Sequence, residues 1–553
     1  MSESPTELTG PDFVSGIPLA TLAVGAMVQG HAFGAPVLLV RRTESIVAVG
    51  AYCTHYGAAL ADGVLDGDTV RCPLHHACFS VDTGRALHAP AFDALPRWAV
   101  EVRDATVFVT SALTATETPP PRAATRDVTR NAAEGATRDA TYNTTRNAIH
   151  NATRDTGKDG TRNQSLAARM VIVGGGAAGD AAAAMLREQG YDGEITMLSA
   201  DHHAPGDRPN FSKGTISGTV AMDFNFVRPS GFYEEHHISL RLNTTVTSID
   251  TNNRAVQLAD GEVVPYDALL LATGAEPIRL TIPGADLPHV RTLRTLADSL
   301  DIAERASHAK SVVVIGASFI GMEVAAALRA RKVEVHIVAP EDVPMARVLG
   351  PELGAFMQSL HERHGVTFHL GTTVSAIEAD HVRLANGEVV RADLVVAGIG
   401  VRPSLALATQ AGLAIDKGVL VNSRLETSIP GIFAAGDIAR WLDDTTGVRT
   451  RVEHWVVAQR QGQVAARNML GANEVFNAIP FFWTEQYDLL LQYVGHAEPG
   501  FTTEVVGSLT DASPNVRVNF RNDGQLVAVA TVGRDRESLE AELAFERART
   551  AKH

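Results

Sequence analysis

Four residues near the N-terminus have the types and spacing of metal ligands. Cys53 and His55 form a Cys-x-His sequence, and after sixteen further residues Cys72 and His75 form a Cys-x-x-His sequence. Two thiolates and two imidazoles can hold one zinc ion, or a [2Fe–2S] cluster in which two cysteines bind one iron and two histidines bind the other. Zinc sites usually segregate the cysteines from the histidines, whereas each segment here supplies one of each. The pattern therefore favours the iron–sulfur cluster, with zinc as the alternative.

The sequences around these ligands strengthen that interpretation. Cys53-Thr-His-Tyr-Gly-Ala-Ala-Leu and Cys72-Pro-Leu-His-His-Ala-Cys-Phe resemble the two cluster loops of Rieske ferredoxin domains, and the resemblance covers about residues 13–110. It implies a small all-β domain that holds the cluster through the four ligands. His76 stands where the family commonly has glycine, and we expect a bystander or a hydrogen-bonding group beside the ligand. Cys78 lies outside the ligand pattern and is expected to be a small buried hydrophobic residue.

A glycine-rich loop suggests a dinucleotide site further along the chain. Gly174, Gly176 and Gly179 follow an apolar run and fit Gly-x-Gly-x-x-Gly at the start of an Ala-rich stretch. These glycines permit a tight turn, backbone approach to a diphosphate and close packing of helix on strand. Asp201 follows the next predicted strand, where a carboxylate binds a ribose hydroxyl. A surface-loop aspartate is the alternative interpretation of that residue.

Further segments resemble the FAD-contact segments of ferredoxin reductases and apoptosis-inducing-factor-like proteins, from about residue 169 to the end. The resemblance implies that Asp437 binds the ribityl chain and that Arg208 and Lys213 lie near the diphosphate and flavin. It also places Val246 at the adenine side and Trp483 near the isoalloxazine. The residues predicted to bind FAD are Gly174, Gly176, Ala177, Ala178, Gly179, Asp201, Arg208, Lys213, Val246, Ala272, Thr273, Gly274, Arg294, Gly436, Asp437, Glu453, His454, Trp455 and Trp483.

A second glycine-rich loop, with serine as its middle residue, resembles the NAD-binding insertion of the same family. Glu323 is either a charge at the helix N-terminus or a neighbour of the nicotinamide. The next strand ends at Ala339, where an NAD-preferring protein would place an acid, but Glu341 and Asp342 follow and would repel the 2′-phosphate of NADP. We therefore expect NADH to be favoured. The residues predicted to bind NAD(P)H are Gly316, Ser318, Phe319, Ile320, Gly321, Glu323, Gly398 and Gly400.

The elements that must position these residues change in kind along the chain. Short β-like runs separated by glycine turns precede residue 113, and a strand, glycine loop, Ala-rich helix and strand occur twice after Arg169. The sequence predicts a multidomain protein in which an all-β Rieske [2Fe–2S] domain precedes an α/β flavoprotein. Its predicted parts are the Rieske domain at 1–112, a linker at 113–168, an FAD-binding domain at 169–292 and 409–476, an NAD(P)-binding domain at 293–408, and a small α+β C-terminal domain at 477–553.

The predicted linker contains an eight-residue repeat that begins with Thr-Arg-Asn or Thr-Arg-Asp. Its Thr, Arg, Asn, Asp, Gly and Ala residues offer little apolar surface to bury, so the segment is predicted to be a disordered tether. A nucleic-acid-binding arm is the alternative, but interspersed aspartates offset the arginines.

The amino-acid composition excludes several classes of protein. The chain has 553 residues, 48 basic and 63 acidic side chains and a net charge of -15, which argues against a nucleic-acid binder and suits a basic protein partner. Three cysteines exclude a disulfide scaffold, and no CxxC pair is present for a dithiol reductase. The N-terminus lacks the features of a signal peptide, and charges and glycines interrupt the apolar window at 311–330. We expect a cytoplasmic protein without a membrane span.

Together these features resemble the Rieske-containing members of the apoptosis-inducing-factor-like family. The resemblance implies an FAD-dependent oxidoreductase that passes electrons from NAD(P)H through FAD to the cluster and on to an oxygenase, ferredoxin or cytochrome. No acid–base or nucleophilic catalytic residue is expected, because the cofactors carry the chemistry. The alternatives are an NADH-responsive redox sensor and the reductase component of a nitrite-reductase-like system, and a homodimer is left open.

Overall fold

The computed structural model describes residues 8–113, 169–444, 446–509 and 514–550. The described residues on both sides of the long gap pack as one compact unit. The predicted linker lies outside the described residues, apart from Leu113, which ends a strand. Its disorder therefore stays a prediction.

The N-terminal domain is all β, as predicted. A six-stranded antiparallel sheet supports a second, four-stranded sheet, in which successive strands pair. The larger sheet contains, in spatial order, the strands Ile17–Pro18, Thr106–Leu113, Arg97–Arg103, Ile46–Gly50, Ala35–Arg41 and Met27–Ala32. The smaller sheet contains Val64–Asp66, Thr69–Arg71, Cys78–Ser80 and Ala86–His88.

The first dinucleotide-binding domain is built on a five-stranded parallel sheet. All four residues of its central strand, Met170–Val173, are buried, because helices cover both faces of a parallel sheet. The strands in spatial order are Ile238–Arg241, Ile195–Leu198, Met170–Val173, Ala268–Leu271 and Ile432–Ala434. Its helices are Ala177–Glu188, Arg208–Phe211, Gly214–Ser217, Phe232–Glu235, Ala406–Gln410 and Trp455–Met469, and its 3-10 turns are Met222–Asn225 and Gly436–Ile438.

The second dinucleotide-binding domain repeats this design. Its parallel sheet contains, in spatial order, Val290–Thr292, Leu394–Ala397, Ser311–Ile315, Glu334–Val338 and Val366–His369. Its helices are Leu296–Ala306, Phe319–Ala330 and Ala346–Arg363, the last kinked at Gly350, before Pro351. The strand Val290–Thr292 pairs with Leu394–Ala397, so this domain begins a few residues before the predicted boundary at 293.

Small antiparallel sheets complete these two domains. The three-stranded ones are Val246–Asp250, Ala255–Leu258 and Val263–Pro265, and Val374–Ile377, His381–Leu384 and Val389–Arg391. A two-stranded ribbon of Ala275–Pro277 and Val401–Pro403 joins the domains, and Val419–Leu420, Ala439–Leu442 and Arg449–Thr450 form a further sheet.

The C-terminal domain has the predicted α+β composition. Its antiparallel sheet contains, in spatial order, Phe481–Gln486, Leu489–Gly495, Gln525–Val532, Asn515–Asn522 and Thr502–Ser508, followed by the helix Asp535–Thr550. The apolar window at 311–330 forms a buried strand and the helix Phe319–Ala330. Among the residues that the structure describes, no helix is both long and apolar enough to cross a membrane.

Candidate active site

The two predicted cluster loops are tight turns that close on their own cysteines. In the first loop the Cys53 amide donates to the Ala58 carbonyl at 2.8 Å, and the Gly57 amide donates back to the Cys53 carbonyl at 2.9 Å. In the second loop the Cys72 amide donates to the Ala77 carbonyl at 2.8 Å. The His76 amide donates back to the Cys72 carbonyl at 3.2 Å, so the two loops close in the same way.

The four predicted ligands meet in like pairs at the tips of these loops. The Nδ1 atoms of His55 and His75 lie 3.1 Å apart, and the thiols of Cys53 and Cys72 are within hydrogen-bonding reach, which lowers the pKa of the Cys53 thiol. Burial lowers the pKa of His55 to about 4 and that of His75 well below its usual value, so both imidazoles are neutral, as metal ligands must be. Within the described ranges, no three His, Cys, Asp or Glu side chains are placed so that they could bind one metal ion together. Pairing cysteine with cysteine and histidine with histidine suits a two-iron cluster.

His76 belongs to a buried ionic network and not to the ligand set. Its ring is fully buried, and Nδ1 lies 2.7 Å from the Glu542 carboxylate of the C-terminal helix. Arg460 donates to the same carboxylate at 2.7 Å, and Arg71 pairs with Glu546 one turn further on. Of the two roles expected for His76, the structure shows hydrogen bonding, and its partner Glu542 belongs to the C-terminal domain. Cys78 is buried, as predicted.

The first glycine loop has the close contacts that its sequence predicted. Gly174 has a φ of +117°, and a Cβ there would lie 2.2 Å from the Ala272 carbonyl oxygen. A Cβ on Gly179 would lie 2.0 Å from the Gly174 carbonyl oxygen, so any side chain would separate helix from strand. The helix Ala177–Glu188 therefore starts directly behind the loop, with its free amide groups available to an anion.

A single cleft of about 470 Å³ brings most of the predicted cofactor residues together, a size typical of ligand sites. The predicted residues that line it are Gly176, Ala177, Ala178, Arg208, Lys213, Ala272, Gly274, Arg294, Ser318, Phe319, Ile320, Gly321, Glu323, Gly398, Gly400, Gly436, Asp437, Glu453, His454, Trp455 and Trp483. Further lining residues that the sequence did not single out include Pro209, Ser212 and Phe482.

The remaining predicted residues lie behind this lining. Gly174, Gly179 and Gly316 permit the turns and the close packing of helix on strand, and Thr273 donates to the Ser404 carbonyl at 3.3 Å. Asp201 follows the strand Ile195–Leu198, and its carboxylate accepts from the His203 amide. Val246 is buried at the start of the strand Val246–Asp250. The contacts of these residues with FAD stay predictions.

Charged side chains at the floor of the cleft suit a diphosphate. The Arg208 guanidinium lies about a van der Waals contact from the Cβ position of Gly176, at the start of the helix. Burial and then the nearby Arg294 lower the pKa of Arg208, and among the described residues no carboxylate pairs with it. Arg294 instead donates to Asp437 at 3.0 Å. A half-buried cation beside free helix amides is a suitable set of donors for the diphosphate of FAD.

Glu323 joins three domains beside the cleft. Its buried carboxylate accepts from Lys213 at 2.8 Å, from Ser212 at 2.5 Å and from Thr484 at 2.7 Å. Neither of the two expected roles of Glu323 included an ion pair with Lys213. The lysine comes from the first domain and the threonine from the C-terminal domain, so the pair fixes the wall of the cleft.

The cluster loops lie directly against this cleft. The rings of His75 and Trp483 are 4.1 Å apart at their centroids, and Trp483 lines the cleft. Gln492 donates to the carbonyl oxygens of Pro73 and Leu74 at 2.9 Å each, which anchors the second loop on the C-terminal sheet. The sequence predicted Trp483 near the flavin but gave no signal for its contact with a ligand histidine.

The first cluster loop contacts the first dinucleotide-binding domain. The Tyr56 hydroxyl donates to the buried Asp207 carboxylate and accepts from Asn210 at 3.3 Å. Burial, Asp207 and more weakly Glu485 raise the pKa of Tyr56, so this phenol keeps its proton. Both loops are therefore held by residues far away in sequence.

Matches to known families agree with this arrangement. Residues 168–462 match the pyridine nucleotide-disulphide oxidoreductase model, residues 17–99 the Rieske [2Fe-2S] domain and residues 481–553 the reductase C-terminal domain. The chain belongs to the pyridine nucleotide-disulphide oxidoreductase family. It is an FAD-dependent NAD(P)H oxidoreductase of the electron-transfer type and carries its own Rieske [2Fe–2S] domain.

Among its relatives, this oxidoreductase is 32% identical to apoptosis-inducing factor 3 of Mus musculus over 90% of its own length and 78% of that protein. It is 37% identical to the ferredoxin–NAD(+) reductase component of the anthranilate 1,2-dioxygenase system of Burkholderia cepacia, over 66% of the chain and 91% of the relative. A covalent putidaredoxin reductase–putidaredoxin complex shares 32% identity at a TM-score of 0.66, covering 69% of this chain and 93% of the other.

Proposed function

We propose that this oxidoreductase takes electrons from NADH into FAD bound in the cleft, passes them to a [2Fe–2S] cluster held by Cys53, His55, Cys72 and His75, and delivers them to an acceptor protein. The contact between His75 and Trp483 carries the proposal, because it joins a cluster ligand to the wall of the cofactor cleft. Both ends of an internal electron path are thereby present in one chain.

When bound, FAD supplies hydride acceptance and one-electron donation, and a Rieske cluster supplies a one-electron site. The protein's own contribution is to bind and orient. We assign the diphosphate to the helix N-terminus behind Gly176 and to Arg208, and the ribityl chain to Asp437. The Lys213–Glu323 ion pair, 2.8 Å long, holds the two dinucleotide-binding domains together at the cleft wall.

We also propose that NADH is the preferred coenzyme. Glu341 and Asp342 follow the strand Glu334–Val338 after Ala339 and one proline, at the carboxyl edge of the second parallel sheet, where the adenosine ribose of a dinucleotide is bound. Glu341 is partly exposed and Asp342 is exposed. Two carboxylates at this edge oppose the charge of a 2′-phosphate.

Two further features bear on the partner and the compartment. The named relatives are reductases of a ferredoxin or of putidaredoxin, which supports an acceptor that is itself a small redox protein. Cys78, the cysteine outside the proposed ligand set, is a buried thiol without a disulfide partner. A free thiol suits a reducing compartment, so we assign the protein to the cytoplasm.

The proposal is tested by cofactor analysis and rapid kinetics on the full chain. We expect two irons, two acid-labile sulfides and one FAD per chain, with NADH bleaching first the flavin and then the cluster. Cys72→Ser should remove iron and sulfide and leave the flavin spectrum. Stoichiometric zinc without sulfide would refute the cluster. Flavin reduction without turnover on any artificial acceptor would instead favour an NADH-responsive sensor.

A further inference from the structure

The two histidines assigned as cluster ligands face different surroundings. His75 is 4% exposed and lies against Trp483 and the cofactor cleft. The ring of His55 is stacked on Tyr56, with centroids 4.1 Å apart and 6° between the planes, and Tyr56 is 44% exposed. Tyr56 also packs edge-on against His75, with centroids 5.3 Å apart, so this exposed ring contacts both imidazoles, whereas Trp483 of the cleft contacts His75.

The FAD-binding domain extends this exposed surface. Asn210 donates both to the Tyr56 hydroxyl at 3.3 Å and to the Phe224 carbonyl at 3.0 Å, so the two aromatic residues are neighbours. Phe224 is 69% exposed, and Met222 in the same turn is 51% exposed. Aromatic residues and methionine are enriched at the centres of protein interfaces. This apolar surface lies next to a proposed cluster ligand, because Tyr56 stacks on His55.

Acidic side chains border the apolar residues on several sides. Asp223 is exposed between Met222 and Phe224. The exposed Asp93 is held next to the first cluster loop, because its backbone carbonyl accepts from the Thr54 hydroxyl at 2.8 Å. Glu485 is exposed at the edge of the C-terminal sheet and lies close enough to Tyr56 to raise the pKa of its hydroxyl, after burial and Asp207. With a net charge of -15 on the chain, this rim attracts a positively charged surface.

We propose that an electron-accepting protein with a basic rim around its redox centre docks on the acceptor patch formed by Tyr56, Met222, Asp223, Phe224, Asp93 and Glu485. The inference rests on the proposed function and names the surface at which electrons leave. In each transfer the acceptor gains one electron and the reduced cluster loses one, and no bond is formed or broken.

The acceptor patch is built from three domains, so an acceptor that binds it selects one arrangement of these domains. Tyr56 and Asp93 come from the Rieske domain, Phe224 from the FAD-binding domain and Glu485 from the C-terminal domain. The complete surface exists only when the Rieske domain is docked on the reductase. The acceptor therefore recognises the same arrangement in which His75 contacts Trp483, and the Rieske domain need not leave the reductase between turnovers.

The location is tested first without turnover. The oxidised full-length protein is mixed with a lysine-rich c-type cytochrome, joined by a carbodiimide that couples carboxylates to amines, and mapped by mass spectrometry. We expect cross-links at Asp93, Asp223 or Glu485 that disappear at high salt. Glu304, an exposed carboxylate of the NAD-binding domain, should remain unlinked. Cross-links confined to other acids would overturn the proposal.

Kinetics test the same surface. Phe224→Ser and Asp223→Lys should each lower the second-order rate constant for cytochrome reduction about tenfold at low ionic strength, and leave cluster reduction by NADH unchanged. The matched controls are Val263→Ser, at an exposed valine of a separate sheet, and Glu304→Lys, and both should retain wild-type rates. Equal rates in patch and control variants would refute the docking site.

The outcomes separate this inference from the proposed function. If NADH reduces the flavin but not the cluster in the wild-type protein, the proposed function fails whatever the cross-links show. If the cross-links join two copies of this chain, and Phe224→Ser abolishes a dimer in sedimentation, the patch is a self-association surface and the docking proposal is wrong.

Discussion

His75 and Trp483 lie ring to ring, with their centroids 4.1 Å apart and 39° between their planes. The contact is braced on both sides. Phe481, two residues before the tryptophan, stacks on His76 at 3.9 Å, and Gln492 on the neighbouring strand holds the backbone of the second cluster loop. The edge of the C-terminal sheet therefore fixes the distance between the cluster loops and the cofactor cleft.

Replacing Trp483 by leucine should separate the two half-reactions. Flavin reduction by NADH should persist, while cluster reduction slows by about 10- to 100-fold, because the aromatic contact with His75 is lost. Trp483→Phe keeps an aromatic ring at the position and should retain most of the rate. The measurement is stopped-flow absorbance at flavin and cluster wavelengths. Unchanged cluster reduction in the leucine variant would show that electrons reach the cluster by another route.

Glu542 should be required for docking of the Rieske domain. Its buried carboxylate lies between Arg460, His76 and Arg71, and these groups hold its pKa below the usual range despite burial. Glu542→Gln leaves buried cations without their counter-charge, and we expect it to lower the free energy of unfolding by about 3 kcal/mol. Thermal unfolding measures the loss, and hydrogen exchange at the second cluster loop reports detachment.

The matched control for Glu542 lies two residues away on the same helix. Glu540 is exposed, and among the described residues its ion-pair partner is Arg536 at the surface. Glu540→Gln should therefore leave unfolding and exchange close to wild type, because exposed ion pairs contribute little. If both variants unfold alike, the network does not hold the Rieske domain.

The sequence predicted those features of the site that depend on residues close together in the chain. The cluster ligands lie within two short loops, and the glycines of each dinucleotide loop are needed for backbone contacts within a few residues or with the adjacent strand. Ligand spacing and glycine spacing are therefore visible in the sequence itself. The strand Val290–Thr292 lies before the predicted boundary at 293, because three residues show too little periodicity to be assigned to a sheet from the sequence.

The contacts between domains could not be predicted in the same way. His76 and Glu542 are 466 positions apart, and Tyr56 and Asp207 are 151 positions apart. Such partners depend on how separately folded domains dock, and no repeat or spacing marks them in advance. The sequence did offer one signal, because His76 stands at a position where glycine is common in Rieske domains. In the structure His76 has a φ of +60°, which is unfavourable for a residue with a side chain, and its contact with Glu542 offsets that cost.

Coenzyme preference should depend on the acidic pair Glu341 and Asp342, which follows the strand Glu334–Val338. Replacing Glu341 by serine and Asp342 by arginine removes two repelling carboxylates and adds a partner for a 2′-phosphate. We expect the ratio of catalytic efficiencies with NADH and NADPH to fall about tenfold or more. Ala339 itself is 1% exposed, so an acid placed there would be buried and is a poorer test. A wild-type protein that favours NADPH would contradict the assignment.

His361 should make the stability of the NAD-binding domain depend on pH. The ring is fully buried in the helix Ala346–Arg363, where Nε2 lies 2.7 Å from the Gln486 side-chain oxygen of the C-terminal domain. Burial lowers the pKa of His361 from 6.5 to about 4. Between these values the unfolded chain binds a proton that the folded protein does not, so the free energy of unfolding falls as the pH falls.

The size and sign of this effect can be checked against a substitution. From pH 7 to pH 5 the wild-type protein should lose about 2 kcal/mol more stability than His361→Gln, whose side chain does not titrate. His308→Gln, at an exposed histidine after the helix Leu296–Ala306, should keep the wild-type dependence. Denaturant unfolding at several pH values measures how the free energy of unfolding changes with pH. Because only this change is compared, a difference in overall stability between the variants does not affect the result. Parallel slopes for the wild type and His361→Gln would mean that the buried imidazole accepts its proton without unfolding. In that case the charged imidazole would donate from Nε2 to the Gln486 side-chain oxygen and from Nδ1 to the Tyr487 hydroxyl, which lies 3.2 Å away, because a buried charge needs both of its donors satisfied.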